Sequence, residues 1–491
     1  MASAFQTALK SVGETGKHAL IYGVTNALSS AIGIILIPLY TRYLLPEEYG
    51  ILSILTITMT FAFSVFSLGM NSSVFRFYYE DDIEKRVLVG TSTVLMGLSA
   101  FALGLLGTVI SMPLSVLLFG TDKYGLYFIL MFVAYSIALL KGIPFLVLRA
   151  EKQPTRFAVY NTANFLFQVS LIVILVAYYR FGIYGVVLGT LMTNIIFAVI
   201  TFVAIKDHIT FTFSQKDARA MLRFGVPLVF LSISNLVLTY FDQYLINFYR
   251  SLQEVALYNL GYRVGMIIYI LLIVPFYTAW APMKYSIRKE PHAREYYSMV
   301  LNYFTLAGLW FVVAISAVAY DLLKIVATPI YYGAATVVPI IVASYFIYGL
   351  SWPIDLGVSF AKKTEYYAYI TAFGAALNIV LNIIIIPIYG YIGAALTTLA
   401  TYSVMLVIRY YVNQSLYPIR YDWHKISVMV LVAVALCIVG YLPRIDSLLQ
   451  SLGYRALIII AYPVILYLVG VVTKDEAKWF INAVKGRMSK R

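Results

Sequence analysis

The chain has 491 residues, of which 62% are hydrophobic and only 12% are charged, with a formal net charge of +14. Soluble domains carry about 25% charged residues, so the composition excludes a soluble globular protein and predicts a chain whose solvent is the lipid bilayer. In such a chain the excess of basic residues reflects the cytoplasmic bias of Lys and Arg, and we expect no nucleic-acid partner.

Apolar runs of about 20 residues recur along the chain and predict fourteen membrane-spanning helices. In chain order they cover 19–40, 50–70, 87–110, 125–148, 157–179, 183–205, 225–248, 256–282, 298–320, 334–356, 366–388, 391–411, 426–442 and 456–472. The stretch 366–408 has no charged residue and is twice as long as one span, so Pro387–Gly390 is predicted to be the turn of a helical hairpin. The predicted fold class is an all-α, multi-pass membrane protein.

The Lys and Arg residues are distributed unevenly over the loops between these spans. With the N-terminus placed in the cytoplasm, the cytoplasmic segments hold roughly four times as many of them as the outer loops. This bias predicts that both termini are cytoplasmic. We therefore expect a protein of the cell membrane, which is the inner membrane where there are two.

An internal repeat divides the spans into two related groups of six, followed by two further spans. Residues 181–193 align with 389–401, and residues 224–226 align more weakly with 22–24. Both copies have an even number of spans and hence the same orientation, so two lobes around a central cavity are predicted. The predicted divisions are a cytoplasmic N-terminal segment 1–18, an N-lobe 19–205, a cytoplasmic linker 206–223, a C-lobe 224–412, two C-terminal spans in 413–472 and a basic cytoplasmic tail 473–491.

Four short blocks carry a resemblance to a known family. They are P-L-Y-T-R-Y-L-L-P-E-E-Y-G at 38–50; F-G-V-P at 224–227 with Asp242; E-V-A-L-Y at 254–258; and N-x-x-x-N at 378–382 with the residues up to 395. Together they resemble the polysaccharide-unit (O-antigen and exopolysaccharide) flippases, a branch of the multidrug/oligosaccharidyl-lipid/polysaccharide exporter superfamily. The resemblance covers about residues 10–412. The chain departs from it at Gln243, where the family has Arg, so an ion pair at this point is not carried over.

The resemblance implies a function in surface polysaccharide assembly. The expected cargo is an oligosaccharide linked to undecaprenyl or dolichyl pyrophosphate, moved from the cytoplasmic to the outer face by alternating access. Expected partners are this lipid-linked oligosaccharide, membrane lipids, and the polymerase and glycosyltransferases of the same pathway. We expect no cofactor and no enzymatic activity.

Two alternatives remain open. One is a multidrug extruder of the same superfamily, which a cavity lined with Arg and Lys disfavours because many extruded drugs are cationic. The other is a membrane polysaccharide polymerase or ligase. Such an enzyme requires a large outer loop with catalytic groups, and the longest predicted outer loops, 321–333 and 443–455, are short.

Cations inside or at the ends of spans are the candidate substrate-binding residues. Arg263 and Lys141 lie within the eighth and fourth predicted spans, where a cation costs about 2.5–3.5 kcal/mol unless it faces water or a partner. Both types of side chain bind phosphate, Arg through a bidentate fork and Lys as a point charge. The alternative is that each reaches an interface or forms a structural pair. Candidates for the mouth of the cavity are Arg42, Arg76 and Arg149.

Acidic and amide side chains complete the candidate site. Asp242 and Glu254 are candidates for ion coupling, and Asp242 is also a candidate partner of Arg263. Uncharged groups that can bind sugar hydroxyls are Asn164, Gln168, Asn378 and Asn382. Hydrogen bonding between helices is an equally open interpretation of each amide. With four His and one Cys in the chain, no metal site is expected.

Overall fold

A computed structural model describes residues 35–80, 83–208, 212–441, 445 and 447–474, and the secondary structure of these residues is entirely helical. The predicted N-terminal segment 1–18, most of the first predicted span and the predicted basic tail from residue 475 onward lie outside the described residues.

The described helices follow one another with short connections. We label them α1 (Ile37–Tyr43), α2 (Pro46–Phe66), α3 (Met70–Phe77), α4 (Lys85–Phe119), α5 (Gly125–Ala150), α6 (Pro154–Val173), α7 (Gly182–Ala204), α8 (Gln215–Tyr249), α9 (Leu252–Gly265), α10 (Val274–Ile287), α11 (Ala293–Val326), α12 (Val338–Ile354), α13 (Leu356–Ala361), α14 (Glu365–Leu416), α15 (Trp423–Tyr441) and α16 (Leu448–Leu468). Single π-turns, Ile174–Tyr178 and Tyr269–Ile273, extend α6 and precede α10.

Eleven helical stretches of the described residues are long and apolar enough to cross a membrane, and the bent pair Pro329–Thr336 and Val338–Ile354 makes a twelfth. One of them, α14, consists of two helices, because the backbone leaves the helical conformation at Gly390 (φ 57°, ψ −141°). The turn predicted at Pro387–Gly390 is therefore confirmed. The chain is a multi-pass, all-α membrane protein, and the number of fourteen spans stays a prediction.

The sequence repeat is visible in the backbone. Gly182 and Gly390 occupy equivalent positions in the two copies of the repeat, and their φ angles are 56° and 57°. This left-handed conformation is accessible to glycine at little cost, and in both copies it coincides with the start of a new helix. The two segments thus share a conformation as well as a sequence pattern.

The described residues form two compact units. One contains those up to Asn259 together with Ile379–Gly390, and the other contains Leu260–Asn378 together with those from Tyr391 onward. Within the first unit, α5 packs against α4 and α7, and α8 packs against α2 and α3. Within the second, α11 packs against α12, α15 and α16. The lobe boundaries stay a prediction, and α8 begins at Gln215, inside the predicted linker 206–223.

The two predicted outer loops 321–333 and 443–455 are shorter in the structure. Helix α11 continues to Val326 and α16 begins at Leu448, so Asp321 and Arg455 are helical and buried rather than in loops. Their charges ended the apolar runs in the sequence, but the two side chains form an ion pair with Nε and Oδ2 3.4 Å apart. Pairing allows both charges to be buried.

Candidate functional site

Lys141 lies inside α5 and contacts two other helices of the first unit. Its Nζ donates hydrogen bonds to Asn164 Oδ1 on α6 at 3.0 Å and to Asn194 Oδ1 on α7 at 2.6 Å. The amide of Asn194 in turn donates to the carbonyl oxygen of Ala134 at 3.0 Å. In the described part of the chain, no carboxylate lies within ion-pair distance of this ammonium group. Lys141 is half-buried, and the partners that the described residues provide for it are uncharged.

The position of Lys141 along α5 makes this environment unusual. It is nine residues before the end of a 26-residue helix, so it lies about 14 Å from that end, within the hydrocarbon depth that the helix has to cross. Two amide oxygens orient the ammonium group, and no carboxylate of the described residues compensates its charge. An anionic ligand with oxygen acceptors would supply the missing charge.

Arg263 lies in the part of α9 that belongs to the second unit and is half-buried. The glycines two residues to either side, Gly261 and Gly265, pack so closely against Val337 and Ile341 that neither has room for a Cβ atom. Because successive helical residues are rotated by about 100°, Arg263 projects from the side of α9 opposite this packing face. That it faces the predicted cavity, and that it pairs with Asp242, stay predictions.

Asp242 is at the centre of a buried polar cluster in the first unit. It is 1% exposed, and its Oδ2 accepts a short hydrogen bond from the Tyr258 hydroxyl on α9, whereas its Oδ1 has no hydrogen-bond partner among the described residues. Beside it, Asn259 donates to Gln243 Oε1 at 3.2 Å and accepts from the Tyr49 hydroxyl at 3.2 Å. A buried carboxylate with one unused acceptor is a group that can bind a proton or a small cation.

Glu254 forms an ion pair and packs against the turn of α14. Its Oε1 accepts from Arg250 Nε at 3.0 Å, and a Cβ atom at Gly390 would overlap with its second carboxylate oxygen. Arg250 also approaches the carbonyl oxygen of Pro387 at 3.5 Å. This i,i+4 ion pair thus packs against the Pro387–Gly390 turn. Ion coupling through Glu254 stays a prediction.

The three cations predicted for the cavity mouth are exposed. Arg42 lies in the last turn of α1. Arg149 lies in the last turn of α5, where a cation complements the helix dipole, and its guanidinium is 5.8 Å from the centre of the Phe75 ring. Arg76 lies in the last turn of α3 and forms a long ion pair of 3.9 Å with Glu80. Arg76 also lines an open basic cavity, which is described below.

The end of α3 is fixed to the end of α5 by hydroxyl groups. Tyr79 donates to the carbonyl oxygen of Ala150 at 2.6 Å, and Tyr78 donates to Glu151 Oε1 at 3.1 Å. Burial, and then the nearby Glu151 carboxylate, raise the pKa of the Tyr78 hydroxyl, so that it remains a hydrogen-bond donor at any physiological pH. Arg76 and Arg149 are thus carried on two helix ends that are held together.

The candidate amides differ in their surroundings. Asn164 contacts Lys141, as described, and Gln168 is half-buried one turn further along α6. Asn378 and Asn382 are 1% and 0% exposed, and Asn378 donates to Thr401 Oγ1 at 3.4 Å across the hairpin of α14. Such a bond fits the helix–helix interpretation. Contacts of these four residues with sugar stay predictions.

Several residues of these clusters were not found from the sequence. Asn194 contacts Lys141, yet nothing in the local sequence marks it, and Tyr258, although it lies in the E-V-A-L-Y block, was not recognised as a partner of Asp242, because each is brought in by another helix. A signal was present for a basic face on α8, where Lys216, Arg219 and Arg223 follow the i, i+3, i+7 spacing of one side of a helix. In the sequence they were counted only as cytoplasmic positive charge.

The helical spans define the chain as a polytopic membrane protein. Lys141 and Asp242 are ionisable side chains within these spans. A sequence profile of the family described as "Polysaccharide biosynthesis protein" matches residues 15–287, more than half of the chain. The protein belongs to this family. Among curated proteins no sequence matches it significantly.

Three solved structures are similar in fold. The lipid II flippase MurJ, in an inward closed conformation, has a TM-score of 0.73 at 16% identity over 91% of this chain and 99% of MurJ. An inward-facing multidrug resistance MATE family transporter of the MOP superfamily has a TM-score of 0.63 at 15% identity, over 81% of this chain and 94% of that one. A MOP superfamily transporter from Pyrococcus furiosus, described by the reverse polarity of its binding pocket, has a TM-score of 0.54 at 12% identity, over 81% and 95%. At these identities the likeness establishes the fold alone.

Proposed function

We propose that the protein is a flippase that moves a polyprenyl-pyrophosphate-linked oligosaccharide from the cytoplasmic to the outer face of the cell membrane. The observation that carries the proposal is the Lys141 ammonium group at membrane depth, hydrogen-bonded to two uncharged amides and without a described carboxylate partner. Family membership supports a role in polysaccharide biosynthesis, and the fold supports a transporter.

The charge of the cargo explains the choice of side chains. A pyrophosphate can cross the hydrocarbon region only if its negative charge is matched within a watery cavity. At an effective dielectric constant near 20, a single cation about 4 Å from a phosphate charge contributes about 4 kcal/mol. Lys141 would supply this interaction from the N-lobe and Arg263 from the C-lobe. Asn164 and Gln168 would then face the sugar, and Arg42, Arg76 and Arg149 the mouth of the cavity.

The proposed mechanism is alternating access of two six-helix lobes, 19–205 and 224–412. The repeat copies that share a glycine conformation support related lobes. Coupling to a proton or a cation is assigned to Asp242, whose Oδ1 has no described partner. The termini are proposed to be cytoplasmic, and the polymerase and glycosyltransferases of the pathway are proposed as functional partners.

The test is deletion and complementation in the native host. Deletion should abolish surface polysaccharide, and the lipid-linked unit should accumulate on the cytoplasmic face. Complementation with Lys141→Gln should lower surface polysaccharide at least tenfold at normal protein level, since the amide keeps a hydrogen-bond donor but removes the charge. Lys141→Arg should restore part of the activity. The matched control is Lys123→Gln, which removes an exposed cation from the loop before α5 and should behave as the wild type.

Other outcomes identify other functions. Normal polysaccharide in the deletion strain, with new sensitivity to cationic dyes, would identify a multidrug extruder instead. Accumulation of the lipid-linked unit on the outer face would place the defect after translocation, as expected for a polymerase or ligase. Full activity of Lys141→Gln would remove the observation on which the proposal rests.

A further inference from the structure

An open cavity of about 770 Å³ lies where the end of α3 meets the beginning of α8, in the first unit. Of the residues that the structure describes, four cations and no acidic side chain line it. The lining residues are Arg76, Phe77, Gln215, Lys216, Arg219, Ala220, Arg223 and Phe224. We call it the basic basin.

The walls of the basin are fixed relative to each other. Gly69, just before α3, and Gly225 of α8 are packed backbone to backbone, so that a Cβ atom on either would overlap with the other chain segment. Ser73 Oγ donates to the carbonyl oxygen of Met221 at 2.8 Å, and this bond is buried. The cations of α3 and α8 are therefore held near one another without any ligand.

Stacking orients the one cation that comes from α3. The Arg76 guanidinium lies 4.4 Å from the centre of the Phe224 ring, a cation–π contact that leaves its N–H edge available to a ligand. From α8, Lys216, Arg219 and Arg223 project on one helix face. Among the described residues, the acidic partner of the group is Glu80, which is 3.9 Å from Arg76 at the exposed surface. The basin thus keeps an excess of positive charge.

The length of α8 places the basin at the membrane surface. Its 35 residues extend over about 52 Å, whereas the hydrocarbon core is about 30 Å thick. The basic residues lie in the first turns, before the apolar run that begins at Phe224. These turns are the part that must project into the headgroup region, where phosphate groups of lipids are found.

We propose that the basic basin binds the phosphate group of a lipid headgroup at the membrane surface. The basin has four cations, one of which is the stacked Arg76 guanidinium, and two phenylalanine rings. These groups match a ligand in which a phosphate is attached to a hydrocarbon chain. The phosphate can belong to an anionic phospholipid or to a polyprenyl diphosphate, and the experiment distinguishes these sources. The basin shares Arg76 with the proposed cavity mouth, and a polyprenyl diphosphate as its ligand rests on the proposed function, whereas an anionic phospholipid does not.

Binding is measured on the purified full-length protein in detergent, as the rise of the thermal unfolding temperature with added ligand. The probes are short-chain phosphatidylglycerol, undecaprenyl diphosphate, inorganic diphosphate and, as a zwitterionic reference without net charge, short-chain phosphatidylcholine. We expect a saturable rise with at least one of the two anionic lipids, smaller at high salt because exposed charges are screened. Inorganic diphosphate and phosphatidylcholine should give a much smaller rise.

The variant Arg219→Gln/Arg223→Gln removes two cations of the basin and leaves Arg76 unchanged. The half-saturating lipid concentration should increase at least about tenfold, because each lost charge-assisted hydrogen bond weakens phosphate binding. The matched control, Arg156→Gln/Lys206→Gln, removes two exposed cations that do not line the basin and should bind as the wild type. The single variants Arg219→Gln and Arg223→Gln are measured as well, in case the double variant does not fold.

Each outcome decides the proposal. A lipid response that is lost in the basin variants and kept in the control supports it, and the stronger of the two lipids identifies the source. An equal response to inorganic diphosphate would show a site for a soluble anion and overturn it. Equal weakening in the control variant, or no response to either lipid, would overturn it too. No transport is measured, so failure here leaves the proposed flippase function untouched.

Discussion

The buried ion pair of the second unit, between Asp321 on α11 and Arg455 on α16, gives a quantitative prediction. The side chains are 1% and 3% exposed. Asp321 Oδ2 accepts from Ser451 Oγ at 2.7 Å and from Arg455 Nε at 3.4 Å, and Oδ1 has no hydrogen-bond partner among the described residues. In the Arg455→Met variant the carboxylate keeps one hydroxyl donor and loses its counter-charge. We expect this change to lower the free energy of unfolding by about 3–5 kcal/mol.

The double variant Asp321→Leu/Arg455→Met should be far more stable than either single variant. Both charges are then removed, and apolar side chains of similar volume fill the space, so its free energy of unfolding should return to within about 1 kcal/mol of the wild type. The matched control is Arg420→Met, an identical change at an exposed residue. It should shift the free energy by less than about 0.5 kcal/mol.

The assay is unfolding of the purified protein in detergent by a denaturant, followed by tryptophan fluorescence. The wild type, the two single variants and the double variant form a double-mutant cycle, which isolates the coupling between the two side chains. If the double variant loses as much stability as the two single variants added together, the side chains are not coupled and the reasoning is refuted.

Two further predictions concern the turn and the topology. Gly390→Ala should lower the free energy of unfolding by about 1–3 kcal/mol in the same assay, because its φ of 57° and ψ of −141° strain any other residue and the new Cβ overlaps with Glu254; a variant as stable as the wild type would contradict this. In a Cys437→Ala background, single cysteines at Lys206 and Asp122 should react with an impermeant reagent from opposite faces of the membrane, and equal labelling in intact cells would contradict the predicted orientation.

The sequence predicted the features of the fold that depend on local composition. The apolar runs gave the helices, and the Pro387–Gly390 turn could be recognised because a charge-free stretch of twice the span length must fold back. The prediction of span ends was wrong where a charged residue within a helix was taken as the end of a span, as at Asp321 and Arg455. Charges of this kind are tolerated only through a partner from a distant part of the chain, and hydropathy contains no information about that partner.

For the candidate site, the sequence identified individual residues but not their partners. Lys141 and Asp242 stand out because ionisable residues are rare inside apolar runs. Asn194 and Tyr258 complete their surroundings through the packing of other helices, which local sequence does not specify. The basic basin is an intermediate case, because the spacing on α8 was visible but the contribution of α3 was not.

The buried charges of this chain allow a comparison that bears on function. In the second unit, Asp355 pairs with Arg409 at 2.5 Å, and the Asp321 ion pair is equally buried. In both ion pairs a buried Arg has a carboxylate as its partner, as expected where a charge serves to connect helices. Lys141 in the first unit lies inside α5, but the described residues offer it amide oxygens only. A counter-charge offsets much of the cost of burying a charge, and the described surroundings of Lys141 do not include one, which makes Lys141→Gln the decisive variant for the proposed function.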